Sequence, residues 1–132
     1  GVVARDQSGE IVAGTSTGGT TAKRWGRVGD SPIIGAGTYA EPGCGISATG
    51  TGEYFIRLNI AARICTYFET GMSADEALDA VIMDELTELG GDGGVIMMAD
   101  GAPLWRFNTA GMYRASLVEG GAPVVSIFGD EE

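Results

Sequence analysis

Histidine is absent from the 132 residues of this chain. That removes the imidazole base of serine and cysteine triads and the commonest zinc ligand, so any catalysis must use another base. Cationic residues are scarce, with 8 Lys and Arg against 18 Asp and Glu, a formal charge of -10. Nucleic acid and anionic membrane surfaces both require a positive face, so neither is expected as a partner. No apolar run approaches the ~20 residues of a membrane span, and no basic leader precedes one. Cys44 and Cys65 are the only cysteines. Their spacing forms no C-x-x-C motif, and they read as two buried thiols rather than a disulfide or metal pair, which fits a reducing, cytoplasmic setting. Proline occurs only 4 times and glycine shows no G-X-Y period, which excludes collagen and low-complexity sequence.

What is abundant is glycine, at 23 residues, within a chain that is 44% hydrophobic. Mean hydropathy is +0.12. Such a chain can fill one core, and no linker or repeat divides residues 1–132, so a single domain or part of one is expected. The glycines cluster in loops, where positive φ or close backbone approach is needed. Asp130-Glu131-Glu132 reads as a solvated acidic tail.

Val2 to Asp6 and Glu10 to Ser16 flank Gln7-Ser8-Gly9 and predict a β-hairpin. Residues 17–30 read as a glycine-bearing loop, and Pro32 to Ala40 with Cys44 to Ala48 as two β segments. Phe55, Leu58, Ala62, Cys65 and Phe68 recur at three or four residues, predicting one helix from about Thr51 to Thr70. Ser73 and Glu76 have capping-box spacing, and Leu78, Val81, Ile82, Leu86 and Leu89 continue a second helix that Gly90-Gly91 stops. Gly94 to Ala99 and Pro103 to Asn108 form a hairpin through Asp100-Gly101, and Pro123 to Phe128 is a last strand. Strands, helices, then strands imply an α/β layer arrangement in which helices cover one sheet face and leave the other bare.

Two short stretches carry the candidate chemistry. Thr49-Gly50-Thr51-Gly52 lies between a β segment and a helix start, where backbone N–H groups near a positive helix end can stabilise an oxyanion. No Lys-Ser or Lys-Thr follows, so it is not a phosphate-binding Walker loop. Arg27 and Asp30 lie three apart among small residues, a pairing able to read the two charges of a free amino acid. Composition alone favours the plainer reading, a local surface salt bridge. Trp25 and Trp105 read as packing groups, Met97 and Met98 as space fillers, and Asp92 as a turn residue rather than a metal ligand. No cofactor or metal site is expected.

Gly14-Thr15-Ser16-Thr17-Gly18-Gly19, then Gly26-Arg27-Val28-Gly29-Asp30-Ser31-Pro32, then Ala48-Thr49-Gly50-Thr51-Gly52-Glu53 together resemble the β-subunit of the plant-type L-asparaginases. These are also called isoaspartyl peptidases, and they are N-terminal-nucleophile hydrolases. The similarity extends from Gly1 through Tyr113-Arg114 and includes Phe107 to Ala115. It implies an αββα sandwich in which residues 1–132 supply the β-subunit and a separate α-subunit, cut from the same precursor, supplies the rest. A second αβ unit is an implied partner, giving an (αβ)2 assembly acting on a small-molecule or dipeptide substrate.

The resemblance also assigns roles. Thr49 and the backbone N–H of Gly50 form the oxyanion hole, with Gly50 and Gly52 lining the substrate cleft. Arg27 and Asp30 clamp the α-carboxylate and α-amino group of an aspartyl moiety, reversing the preference for a plain salt bridge. Thr17 places its hydroxyl beside the nucleophile. That nucleophile is a threonine two positions upstream of Gly1, outside this sequence, which matches the family from its third β-subunit residue onward. The expected reaction is hydrolysis of β-aspartyl peptides and L-asparagine. Two alternatives stand beside it: a glycosylasparaginase-type amidohydrolase, against which Gly18 and Thr51 speak, and a non-catalytic aspartate-binding module should the subunit truly start at Gly1.

Overall fold

The computed structural model describes residues 1–129; the acidic tail lies outside them. Three small sheets and one helical layer make up the described residues. Strands β1 (Val2–Arg5) and β2 (Ile11–Gly14) form an antiparallel hairpin. Asp6 closes its loop, with Oδ1 accepting from the N–H groups of Ser8 at 2.8 Å and Glu10 at 2.9 Å. Strands β3 (Thr38–Glu41), β4 (Cys44–Gly50), β5 (Gly93–Ala99) and β6 (Ala102–Phe107) form a four-stranded antiparallel sheet in that order. Strands β7 (Gly111–Ser116) and β8 (Val124–Phe128) pair separately.

The four-stranded sheet is the centre of the molecule, and the alternation along β4 sorts its two faces. Cys44, Ile46 and Ala48 point into a core shared with Phe55, Ile60, Ile64, Leu78, Val81, Ile82 and Leu86 from the helices. Gly45, Ser47 and Thr49 point the other way. A Cβ on Gly45 would stand 2.8 Å from Val3 Cγ1 and closer still to Ile11, so the β1–β2 hairpin lies directly on that face. Met112 of β7 packs over Gly94 on the same side. The face expected to be bare is therefore covered by two hairpins, giving the order helices, sheet, hairpins.

Residues 32–37 do not form the expected strand. The N–H groups of Ala61 and Ala62 donate to the carbonyls of Ala36 and Gly35, and Gly37 O accepts from Ala48 N–H and from the Thr15 hydroxyl. Those carbonyls satisfy a helix start and a sheet edge, so they are not spent on a ladder. The strand begins only at Thr38.

The single helix expected over 51–70 is two, α1 (Gly52–Leu58) and α2 (Ile60–Glu69), broken at Asn59 with φ 53° and ψ 49°. Asparagine tolerates this left-handed conformation, and Arg63 Nε donates to the freed Leu58 carbonyl at 2.9 Å. The break shifts the phase of α2, which buries Ile60, Ala61, Ile64 and Cys65 and leaves Ala62 and Phe68 half-buried. The second helix follows its caps. Ser73 and Glu76 close a complete capping box at α3 (Ala74–Leu78), which runs into a π-helical stretch, Asp79–Leu86, whose widened turns still bury Val81, Ile82 and Leu86. Strand β7 (Gly111–Ser116), which overlaps the Phe107 to Ala115 segment, is not among the strands predicted from the sequence.

Cys44 and Cys65 are buried as expected but are not free thiols. They form a disulfide, Cα–Cα 5.7 Å, that joins β4 to α2 across the core. Sequence spacing could not reveal this, because only the crossing of helix over sheet brings the two side chains together. Trp25 is also corrected: it packs against nothing and is fully exposed. Trp105 does pack, with the Arg114 guanidinium 4.9 Å from its ring centroid. No helix among the described residues is long and apolar enough to cross a membrane.

Candidate active site

Three segments converge at the C-terminal end of β4: the chain leaving β2, the loop carrying Arg27 to Ser31, and the β4–α1 turn. Thr17, Arg27, Asp30, Thr49 and Gly50 line one cleft of about 190 Å³. Gly52 stands behind it, where a Cβ would lie 2.7 Å from Asp30 Oδ1 and 2.9 Å from Asp30 N. Glycine at 52 is what lets the Asp30 loop approach the start of α1. Gly50 is held as closely, since a Cβ there would collide with Asp92 O and the Phe55 ring.

Asp30 is only 5% exposed. Its Oδ2 is buried and has no hydrogen-bond partner. Burial pushes its carboxyl above the usual carboxylate range, against the opposing pull of its own backbone N–H and of the Arg27 charge. An unpaired buried carboxylate oxygen is costly to maintain, so Asp30 is an acceptor poised for a charged N–H donor.

Arg27 does not bridge to Asp30. It grips Glu53 instead, through Nε to Oε1 at 3.2 Å and Nη2 to Oε1 and Oε2 at 3.0 and 3.1 Å. The plain local salt bridge between Arg27 and Asp30 is therefore excluded. Glu53 is held below its ordinary carboxyl value, first by its own backbone N–H and next by Arg27.

The hydroxyls divide into tied and available. Thr17 Oγ1 accepts from Gly19 N–H at 3.0 Å, which leaves its proton to donate elsewhere. Thr51 donates to the Asp92 carboxylate, and its N–H donates to Asp92 O at 3.0 Å, fastening the β4–α1 turn to the segment before β5. Thr15 Oγ1 lies 2.6 Å from Ser47 Oγ and donates to Gly37 O at 2.9 Å. Thr49 is exposed toward an adjoining cleft that Gly1, Ser47 and Tyr113 also line. No cluster of three or more His, Cys, Asp or Glu able to hold a metal lies among the described residues.

The family model described as asparaginase matches residues 1–127. This chain belongs to that asparaginase family. It is 47% identical over 131 residues to the isoaspartyl peptidase of Salmonella typhimurium, covering 97% of this chain and 42% of that protein. Against the probable isoaspartyl peptidase/L-asparaginase 2 of Arabidopsis thaliana the identity is 44% over 130 residues, 97% of this chain and 39% of the relative. The plant-type L-asparaginase of Pyrococcus horikoshii is 50% identical over 102 residues, 77% of this chain and 33% of the relative. The chain thus spans about two fifths of the length of the first two relatives.

Seen as an asparaginase-family chain, it has its glycine- and threonine-rich motifs gathered at one end of one sheet. Sequence patterns assign no site role to Glu53, Thr15 or Ser47, and read Asp92 only as a turn residue. Glu53 closes the Ala48 to Glu53 motif, and Thr15 opens the Thr15-Ser16-Thr17 run, so both were in view. Ser47 carried a weaker signal, as the one polar residue between Ile46 and Ala48 on a strand that alternates. The partnership of Asp92 with Thr51 carried no signal, because the two are 41 residues apart.

Proposed function

We propose that residues 1–132 are the β-subunit of an amidohydrolase that cleaves β-aspartyl peptides and L-asparagine to release L-aspartate. The observation that carries this reading is that the orphaned Asp30 Oδ2 and the Arg27 guanidinium share one cleft that also contains Thr17, Thr49 and Gly50. An aspartyl group presents an α-ammonium to Asp30 and an α-carboxylate to Arg27. Its side-chain carbonyl then extends toward Thr49 and Gly50.

The register of the first hairpin supports the location of the nucleophile. Val2 faces Gly14 and Val3 faces Ala13, so extending β1 backward by two residues beyond Gly1 reaches the position opposite Thr17. In this mechanism a threonine there attacks the carbonyl carbon, its own α-amine taking the hydroxyl proton. The Thr49 hydroxyl and Gly50 N–H hold the oxyanion, and such a donor supplies about 3 kcal/mol of transition-state stabilisation. Collapse expels the amine or ammonia, which leaves with the proton from the α-ammonium. Water, deprotonated by the same amine, then opens the aspartyl ester and restores the threonine.

The outer faces of the hairpins support a partner subunit. Tyr113 and Val125 are 86% and 76% exposed, and Val2 and Val12 are exposed beside them. An α-subunit completing an αββα sandwich would cover this apolar layer, and two such units would form the (αβ)2 assembly. The location of the enzyme follows the state of Cys44 and Cys65. Free thiols in protein taken from cells place it in the cytoplasm, whereas an intact bridge places it in an oxidising compartment.

The test is turnover by the full-length processed protein of a β-aspartyl dipeptide, L-asparagine and a glycosylated asparagine, with N-terminal sequencing of the subunit. Aspartate release from the first two, with a threonine found two residues before Gly1, is the expected result. Preference for the glycan would overturn the substrate choice. A subunit starting at Gly1 that binds aspartate without turnover would make it a binding module.

A further inference from the structure

We propose that Glu53 is a positioning residue that keeps the two charges of the amino-acid clamp apart, so that each is open to its half of the ligand. The inference rests on the reading of Arg27 and Asp30 given above. These residues are three apart in one loop and of opposite sign, and Asp30 Oδ2 has no donor. Left to themselves they would neutralise each other, because a buried unpaired carboxylate gains most from the nearest guanidinium.

The structure shows what prevents this. A guanidinium has a side-on edge made of Nε and Nη2 and an end-on edge made of Nη1 and Nη2. All three hydrogen bonds to Glu53 use the side-on edge. Nη1 is turned to the backbone of Gly29, where an added Cβ would stand 2.7 Å from it. Nη1 takes no part in the Glu53 pair and Arg27 lines the cleft together with Asp30, so Arg27 is restrained with Nη1 left for a second carboxylate. The Arg27 side chain is 21% exposed and that of Glu53 58%, so the bridge is a surface pair worth little to folding. Its value lies in where it holds the guanidinium.

The charges acting on Asp30 are those of Arg27, which favours its ionised form, and Glu53, which opposes it. Removing Glu53 frees Arg27 to fall onto Asp30, which lowers the pH at which Asp30 ionises and occupies both clamp groups at once.

The experiment compares full-length processed wild type with Glu53→Ala and Glu53→Gln. Three things are read: the inhibition constant of L-aspartate, the acidic limb of the kcat/KM profile on a β-aspartyl dipeptide, and Tm. In both variants the inhibition constant is expected to rise about tenfold, since a charge-assisted pair is exchanged for an internal one. The acidic limb moves to lower pH, and Tm stays within about 2 °C. A crystal structure of Glu53→Ala is expected to show Arg27 within 4 Å of Asp30. Unchanged aspartate inhibition and an unmoved acidic limb would overturn the inference while leaving the enzyme reading intact. A wild type that neither binds aspartate nor turns over the dipeptide would overturn both. Should Glu53→Ala fail to fold, Glu53→Gln decides the matter, because it keeps the side-chain volume and removes only the charge.

Discussion

The two faces of the four-stranded sheet are built from the same strands yet do opposite work. Toward the helices, β4 and β5 present Cys44, Ile46, Ala48, Val95, Met97 and Ala99 to a sealed apolar core. Toward the hairpins, β4 presents Gly45, Ser47 and Thr49, small or hydroxylated residues that admit a second backbone close above them. The sealed face supplies cohesion from burial. The open face supplies room and hydroxyls and ends in exposed apolar side chains, and the cleft holding the buried Asp30 carboxylate lies at the end of β4, against the start of α1. One strand can serve both because successive side chains alternate across the pleat. Stability and chemistry are therefore separable by substitution, even at neighbouring residues.

The strongest test of that separation is on the sealed face. Phe55 is fully buried and its ring lies against Gly50 and Gly93. Phe55→Ala is expected to cost about 3 to 5 kcal/mol in urea unfolding. A Phe55→Ala protein of unchanged stability would break the comparison. In the cleft at the end of β4, Arg27→Ala should lower kcat/KM for a β-aspartyl dipeptide roughly a hundredfold or more while Tm hardly moves. Equal losses in Tm and activity would show that stability and chemistry are not separable.

The disulfide spans the sealed face, so removing it bears on stability alone. In the chain-entropy view, a bridge across 21 residues contributes about 3 kcal/mol. The Cys44→Ala/Cys65→Ala protein is expected to show a loss of that order in denaturant, with the aspartate inhibition constant retained. Ser73→Ala removes one capping hydroxyl at the far edge of the helical layer and should cost about 1 kcal/mol, with no effect on turnover.

Acid should act on the cleft with a definite sign. Burial raises the folded-state pKa of Asp30 above its ordinary value of 3.8, so between those two values the folded state binds more protons than the unfolded. Wild type should therefore gain stability relative to Asp30→Asn as pH falls through that window. Aspartate affinity should decline over the same range, because only the ionised carboxylate accepts an ammonium. A stability difference that does not change with pH would remove Asp30 from the buried-carboxylate role.

Much of the fold was readable because local rules and tertiary structure agree where they meet. The first hairpin, the Asp100-Gly101 turn with both residues at positive φ, and the Ser73 cap are each set by neighbouring residues. The failures share one cause, which is contact with something distant. Asn59 breaks a periodic helix where α2 docks on the carbonyls of Gly35 and Ala36, and those same carbonyls prevent a strand at 32–37. Trp25 looks like a core residue by type but sits on an exposed loop. In the site, Thr17, Arg27, Asp30, Thr49 and Gly50 were all chosen from motifs, and one cleft gathers them. The pairing of Arg27 with Glu53, 26 residues away, was not legible.

By itself the sequence determined the inventory: no histidine, an acidic balance, and three ordered motifs of hydroxyls, glycines, one arginine and one aspartate. Residue types and short-range spacing are set by the chain alone. The tertiary structure decided partnership: Cys44 with Cys65, Arg27 with Glu53, Thr51 with Asp92, and the Oδ2 of Asp30 with none. The physical reason is that whether a polar group is satisfied depends on what stands within about 3 Å of it. That distance is fixed only when sheet, helices and hairpins close on one another.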